Sequence, residues 1–374
     1  MTFPKTALDS FDQPDPRVVV TKKGHCLHLQ LDDPATLNAA DEQIARAFRL
    51  ALKSAENDDQ VDYVLVTSAH KKSFCSGGNV RKLAQYYAAG DAAKAETFFA
   101  IEYDLCARIS EFCKPYISLV DGYCIGGGLG ISANGKHMVV TENALMSMPE
   151  VALGFCTDAG MSWVLPRLWG DGGQADKFLG HYIALTGLWL NATDAVWTGL
   201  ADYFIPSSEL PRVESELLSL EYPHGHAARA VTDYFAAEAQ APTAENGAPE
   251  GQISERILKI DEVFSASSVS EMIQRLEIGL NTGQYQDWAR DALSAMRLSS
   301  PSALEGAFLV IERGNFAPTV RDAINNEFCI GAKYLCHRED FQNGVRARLI
   351  EKKPFKNWKP ASLAEVDKKT LESR

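Results

Sequence analysis

Two glycine-rich segments constrain this chain more than any other feature. They are Ser73-Phe-Cys-Ser-Gly-Gly-Asn-Val80 and Asp121-Gly-Tyr-Cys-Ile-Gly-Gly-Gly-Leu-Gly130, and each follows a strand-like run and precedes a helical pattern. Glycine lets backbone approach a ligand closely and leaves amide N–H groups pointing outward, and at a helix start those amides favour negative charge. Two such donors converging on one point make an oxyanion hole, which stabilises charge developing on a carbonyl oxygen. Either loop taken singly is better explained as a tight turn in which a Cβ would clash. Neither has the Lys-Ser/Thr of a phosphate loop or the spacing of a dinucleotide fingerprint.

The text around the loops alternates strand and helix. Val18 to Leu31 predicts a hairpin, Ala40 to Asn57 a helix, and Val61 to Thr67 a buried strand. Helices are predicted at Lys82–Ala89 and Ala95–Phe112, strands at Tyr116–Val120, His137–Val140 and Leu145–Met148, and a short helix after Gly128. That order describes an α/β core over residues 18–222. Residues 223–374 read as mainly helical, with Gln240 to Gly251 an exposed loop.

Charge excludes several partners. With 37 Lys+Arg against 49 Asp+Glu, the net charge of −12 disfavours nucleic acid and anionic membrane surfaces. One stretch departs from this balance: His70 to Lys82 carries Lys71, Lys72, Arg81 and Lys82 with no acid. It flanks the first glycine loop and suits an anionic ligand, although a solvated basic face is the simpler account. The eight cysteines form no Cys-x-x-Cys pair and read as reduced, mostly buried thiols. Met1 to Val18 holds three aspartates and no apolar core of signal-peptide length, so a cytoplasm-like compartment is expected. A mitochondrial matrix location is the alternative for a eukaryotic source, though no Arg-rich presequence is visible. No stretch reads as a membrane span.

A third segment, Met146-Ser-Met-Pro-Glu150 through Asp158-Ala-Gly160, carries two carboxylates separated by apolar text. Burial there raises the pKa of at least one, which suits a general acid/base or a nucleophile. The ordinary alternatives are a surface turn for Glu150 and, for Asp158, the N-cap of a helix over Ala159–Leu168. Glu102, in mid-helix, is by default solvent-facing. His224-Gly-His226 lacks companion ligands, so no metal site is expected. Cys75 and Cys156 have no evident His partner, and no Gly-x-Ser-x-Gly elbow is present.

The order and spacing of Leu37-Asn38-Ala39, the two glycine loops, Met148-Pro-Glu150 and Leu165-Pro-Arg-Leu168 resemble the crotonase (enoyl-CoA hydratase/isomerase) superfamily. The likeness runs from about Val18 to Val366 and is greatest to the branch that hydrolyses 3-hydroxyacyl-CoA thioesters. Gly130 stands where hydratases carry one catalytic glutamate, and the C-terminal text Gly344-Val-Arg-Ala-Arg-Leu-Ile-Glu resembles the hydrolase branch. The resemblance implies a spiral of ββα units with a helical C-terminal region. It implies a thioesterase acting on 3-hydroxyisobutyryl-CoA, with no cofactor beyond the CoA of the substrate. Hydratase or isomerase chemistry is the first alternative, and a non-catalytic binding protein the second. By position, Gly78 and Gly127 supply the oxyanion amides, Glu150 is nucleophile or general base, and Asp158 is proton relay or 3-hydroxyl partner. Glu102, Arg81, Leu37 and Ala39 fall at substrate-contacting positions. Asn79 replaces the usual aspartate of the first loop, and Cys156-Thr157 replaces the usual Phe-Pro. Relatives form trimers or dimers of trimers, so a homo-oligomer belongs among the expectations.

Overall fold

The computed structural model describes residues 12–223, 225–285 and 287–374. His224, and most of the stretch from Met1 to Val18, therefore lie outside the described residues. The hairpin forms as expected from β1 (Val18–Lys23) and β2 (Cys26–Leu31), and α1 (Glu42–Asn57) follows, capped by the Asp41 carboxylate on the Gln43 and Ile44 N–H groups. Then come β3 (Tyr63–Ser68), β4 (Ser73–Cys75), α2 (Val80–Ala88) and α3 (Ala92–Glu111). Next are β5 (Tyr116–Val120), β6 (Tyr123–Ile125) and α4 (Gly127–Ser132), then β7 (His137–Val140) and β8 (Leu145–Ser147).

From β3 to β8, successive strands alternate between two sheets. β1, β2, β3, β5 and β7 lie in the larger sheet, with β2, β3, β5 and β7 mutually parallel. The short β4, β6 and β8 line up parallel in the smaller one. This repeated ββα step is the spiral that the resemblance implied. β4 and β6 are three-residue strands embedded in the glycine-rich segments, too short to produce a period-2 signal, and sequence reasoning passed over them.

The chain continues through α5 (Met161–Val164), α6 (Lys177–Thr186), α7 (Ala192–Trp197), α8 (Leu210–Leu217) and α9 (Ala227–Glu238). Very short strands at Leu190–Asn191 and Tyr203–Phe204 extend the two sheets. His226 directly precedes α9, a helix-start position. The remainder is helical: α10 (Ile257–Phe264), α11 (Val269–Asn281), α12 (Asp287–Leu298), α13 (Pro301–Phe316), α14 (Val320–Glu327), α15 (Glu339–Val345) and α16 (Lys368–Glu372). π-helical turns follow α14 and α15 at Phe328–Ala332 and Arg346–Ile350. One apolar cluster joins Leu29, Val66 and Phe98 of the α/β layers to Phe264, Ile311 and Ile324 of the helical region. Among the described residues no helix is long and apolar enough to cross a membrane, and no group of three His, Cys, Asp or Glu is placed to hold a metal ion.

Candidate active site

The site sits at one edge of the small sheet. β4 pairs with β6 at Cys75↔Cys124, and β6 with β8 at Ile125↔Ser147, all in parallel. The segments leaving their C-terminal ends are therefore neighbours: Ser76–Gly78, Gly126–Gly127 and Met148–Glu150. Ligands of parallel α/β sheets bind at these ends because side chains and amides there are not absorbed by the ladder. A Gly126 N–H to Ser147 carbonyl bond of 3.0 Å ties the second loop to the end of β8. A cavity of about 630 Å³ opens here, and its walls include Leu37, Ala39, Gly78, Arg81, Glu102, Gly127, Glu150 and Asp158. The eight positions that the resemblance placed at the site thus line one cavity.

Gly126 and Gly127 lie directly against the site carboxylates. A Cβ on Gly127 would lie 2.5 Å from Glu102 Oε1 and 3.1 Å from the Gly78 nitrogen, and one on Gly126 would lie 2.7 Å from Glu150 Oε1. The Gly78 and Gly127 amides are thus adjacent. Neither N–H has an acceptor among the described residues. Gly127 opens α4, so its amide also stands at a helix start.

Glu102 is 4% exposed, so the solvent-facing default for this residue is wrong. It occupies the inward face of α3, and burial together with the negative charges of Asp158 and Asp41 pushes its pKa well above the usual carboxylate range. A 3.6-residue period alone could not reveal this, because α3 is apolar on nearly every face.

Glu150 starts a 3-10 turn, Glu150–Leu153, that closes on Gly154 at φ 80°. It is buried, and its Oε2 has no hydrogen-bond partner. Burial first, then the charge of Asp158, drives its pKa well up. Asp158 is likewise buried and is pushed up to about 8 by burial and by Glu327, with the Tyr103 hydroxyl opposing. That hydroxyl donates to Asp158 Oδ2 at 2.8 Å. The cap reading of Asp158 fails: Gly160 is the N-cap of α5, which spans only Met161–Val164 before a 3-10 turn, instead of a helix over Ala159–Leu168.

The basic stretch is mostly engaged. Lys82 Nζ donates to Gln43 at 2.8 Å and pairs with Asp41 at 3.3 Å, and His70 pairs with Asp32. Arg81 donates to the Leu349 carbonyl at 2.7 Å, fastening the π-helical turn Arg346–Ile350 to the cavity rim. Lys71 and Lys72 are exposed and line no part of the cavity. Asn79 Oδ1 accepts from the Lys82 N–H at 3.2 Å and so caps α2. Asn and Asp cap equally well, so exchange of one for the other preserves this bond. Cys75 and Cys156 are fully buried, with pKa raised by burial, which fits packing and not nucleophilic roles.

Sequence reasoning missed several residues. Tyr103 and Glu327 reach the site from α3 and α14, and Phe99, Phe155, Trp189, Leu349 and Lys352 complete its walls. Asn38 emerges as a brace: its amide donates to Ser68 Oγ and the Phe74 carbonyl while its Oδ1 accepts from the Asp33 N–H. This holds Leu37 and Asn38 in left-handed backbone, at φ 58° and 60°.

A family model described as enoyl-CoA hydratase/isomerase matches residues 26–374. The chain belongs to this family. Among curated proteins, this enoyl-CoA hydratase/isomerase family member is 32% identical to the mitochondrial 3-hydroxyisobutyryl-CoA hydrolase of Homo sapiens, over 95% of this chain and 87% of that protein. The Gallus gallus protein of the same name is 31% identical over 93% of this chain and 86% of its own length. Among solved structures, a carnitinyl-CoA dehydratase from Mycobacterium thermoresistibile superposes with TM-score 0.82 at 30% identity, covering 96% of each chain. An enoyl-CoA hydratase from Rhodobacter sphaeroides gives 0.81 at 28%, with the same coverage. Both structures share the fold of this chain, whereas the names of the relatives divide among hydrolase, dehydratase and hydratase.

Proposed function

We propose that this family member hydrolyses short 3-hydroxyacyl-CoA thioesters, with 3-hydroxyisobutyryl-CoA as the preferred substrate, in the step by which valine carbon is freed from CoA. The observation that carries the reading is a buried carboxylate with an unpartnered oxygen, Glu150, beside the unbonded amides of Gly78 and Gly127. In this reading the thioester oxygen accepts from both amides. The carbonyl carbon is attacked by Glu150 or by a water that Glu150 deprotonates, and the electron pair moves onto the held oxygen. Collapse of this intermediate expels the CoA thiolate, and protonated Asp158 returns a proton or holds the 3-hydroxyl. If Glu150 attacks, water then opens the mixed anhydride. The products are the free acid and CoA.

Gly130 supports hydrolysis over hydration. A Cβ there would meet the Ala159 Cβ at 2.6 Å and the Cys106 sulfur at 2.9 Å, so a second catalytic glutamate has no room. Arg81, at the rim, suits the CoA phosphates. The mitochondrial relatives make the matrix a fitting location for a eukaryotic source.

The test measures release of CoA thiol from 3-hydroxyisobutyryl-CoA, 3-hydroxypropionyl-CoA and crotonyl-CoA. Thiol release from the first supports the reading; hydration of crotonyl-CoA with the thioester intact refutes it. One turnover in 18O-water identifies Glu150 as the nucleophile if the label enters its own carboxyl group, and trapping the mixed anhydride with hydroxylamine covers opening at the acyl carbon.

A further inference from the structure

Asp158 is followed by two residues in left-handed backbone, Ala159 at φ 57° and Gly160 at φ 83°. Alanine is strained there, and such a turn persists only where its surroundings over-determine it. Two side chains do so. Asn134 Nδ2 donates to the Ala159 carbonyl at 2.9 Å and to the Gly130 carbonyl at 2.7 Å. Glu327, the last residue of α14, accepts from the Gly160 N–H at 2.9 Å, the Ser162 N–H at 3.0 Å and the Ser162 hydroxyl. Glu327 is fully buried and all these partners are neutral. A buried carboxylate held only by neutral donors is a poor stabilising device, since a neutral acceptor avoids the cost of desolvating a charge.

We propose that Glu327 is a positioning residue of the active site: it locks the turn from Ala159 to Ser162, keeps the Asp158 carboxyl turned into the cavity, and when ionised holds negative charge behind it. The inference rests on the hydrolase reading for its kinetic consequence only. The groups facing Asp158 are Glu102, Tyr103 and Cys106 of α3, Glu150 and Cys156 on its own segment, Cys336 of the Leu335–His337 turn, and Glu327. Of these, Glu327 is the carboxylate supplied by the helical C-terminal region; burial lifts its own pKa to about 7, and once ionised it adds to burial in raising that of Asp158.

Glu327→Gln keeps the volume but replaces one acceptor by a donor and removes the charge. Its kcat on 3-hydroxyisobutyryl-CoA is expected to fall about 10²-fold with KM within about threefold, as for a misplaced catalytic group. The alkaline limb of its rate profile, where protonated Asp158 is lost, should move to lower pH. Ser162→Ala removes one bond and leaves the charge, so its kcat falls while the limb stays. A kcat for both variants within threefold of the wild type overturns the proposal. Infrared titration of the Asp158 carboxyl, identified by its loss in Asp158→Asn, supplies a readout independent of turnover. A shift to lower pH in Glu327→Gln supports the proposal even if the wild type releases no CoA, an outcome that refutes the hydrolase reading alone. An unmoved Asp158 band overturns the inference about Glu327.

Discussion

At Glu150 and Asp158, burial and function pull against each other. A carboxylate with a raised pKa must lose its proton before it attacks or acts as a base, so thioester hydrolysis should rise with pH. Its midpoint should lie above the ordinary carboxylate range, because burial and the charge of Asp158 raise the Glu150 pKa, and a fall should follow where protonated Asp158 is lost, near about 8. A steady-state pH profile that is flat from pH 5 to 9 contradicts this. Stability runs the other way. The folded state holds protons that the unfolded chain releases near pH 4, so the stabilisation from keeping these groups neutral is present at low pH. It is lost as pH rises through the folded pKa. Glu150→Gln should therefore flatten the fall in melting temperature between pH 5 and 9 while lowering kcat by about 10³-fold or more, as loss of a nucleophile does. At this scale the sequence pointed to Gly78, Gly127, Glu150 and Asp158, which the fold brings to one cavity. It could not show that Glu102 faces inward, because that follows from which neighbour covers α3.

Between elements, contact distances decide. Gly130 of α4 packs against Ala159, so Gly130→Ala must displace the turn that carries Asp158. The expected cost is about 1–3 kcal/mol, typical of overpacking, with kcat lowered in parallel. Ala159→Gly removes the Cβ that Gly130→Ala would meet and relieves the left-handed strain, so the double variant should recover much of the loss in a denaturation series. Additive losses would show that this contact does not govern the turn. At α2, Asn79→Ala should cost about 1 kcal/mol and Asn79→Asp almost nothing, since both Asn and Asp accept from the Lys82 N–H. Helices and long strands were legible from periodicity. The short β4 and β6 were not, although they bring the two glycine loops side by side, because a three-residue strand has no period to read.

Across the whole molecule, the helical C-terminal region completes the wall of the candidate site. Glu327 reaches the Asp158 turn, Leu349 is fastened to Arg81, and Phe264 shares one apolar cluster with the sheet layers. Far-UV circular dichroism and loss of activity should therefore follow one denaturation curve. Phe264→Ala, at a fully buried position, should shift both by about 3–5 kcal/mol. Activity lost well before helicity would show that the α/β core and the helical region unfold separately.

The sequence by itself determined the alternation of strand and helix, the glycines that admit close backbone approach, and the carboxylates available for chemistry. These are local properties, set by side-chain periodicity and by the steric cost of a Cβ. Only the tertiary structure decided that Arg81 would bind a distant carbonyl, that Lys82 would be engaged by Asp41 and Gln43, and that Glu327 would stand behind Asp158. Residue 327 lies far along the chain from residue 158. Their meeting, and the proton affinity that follows from it, depends on packing and desolvation, which no stretch of neighbouring residues encodes.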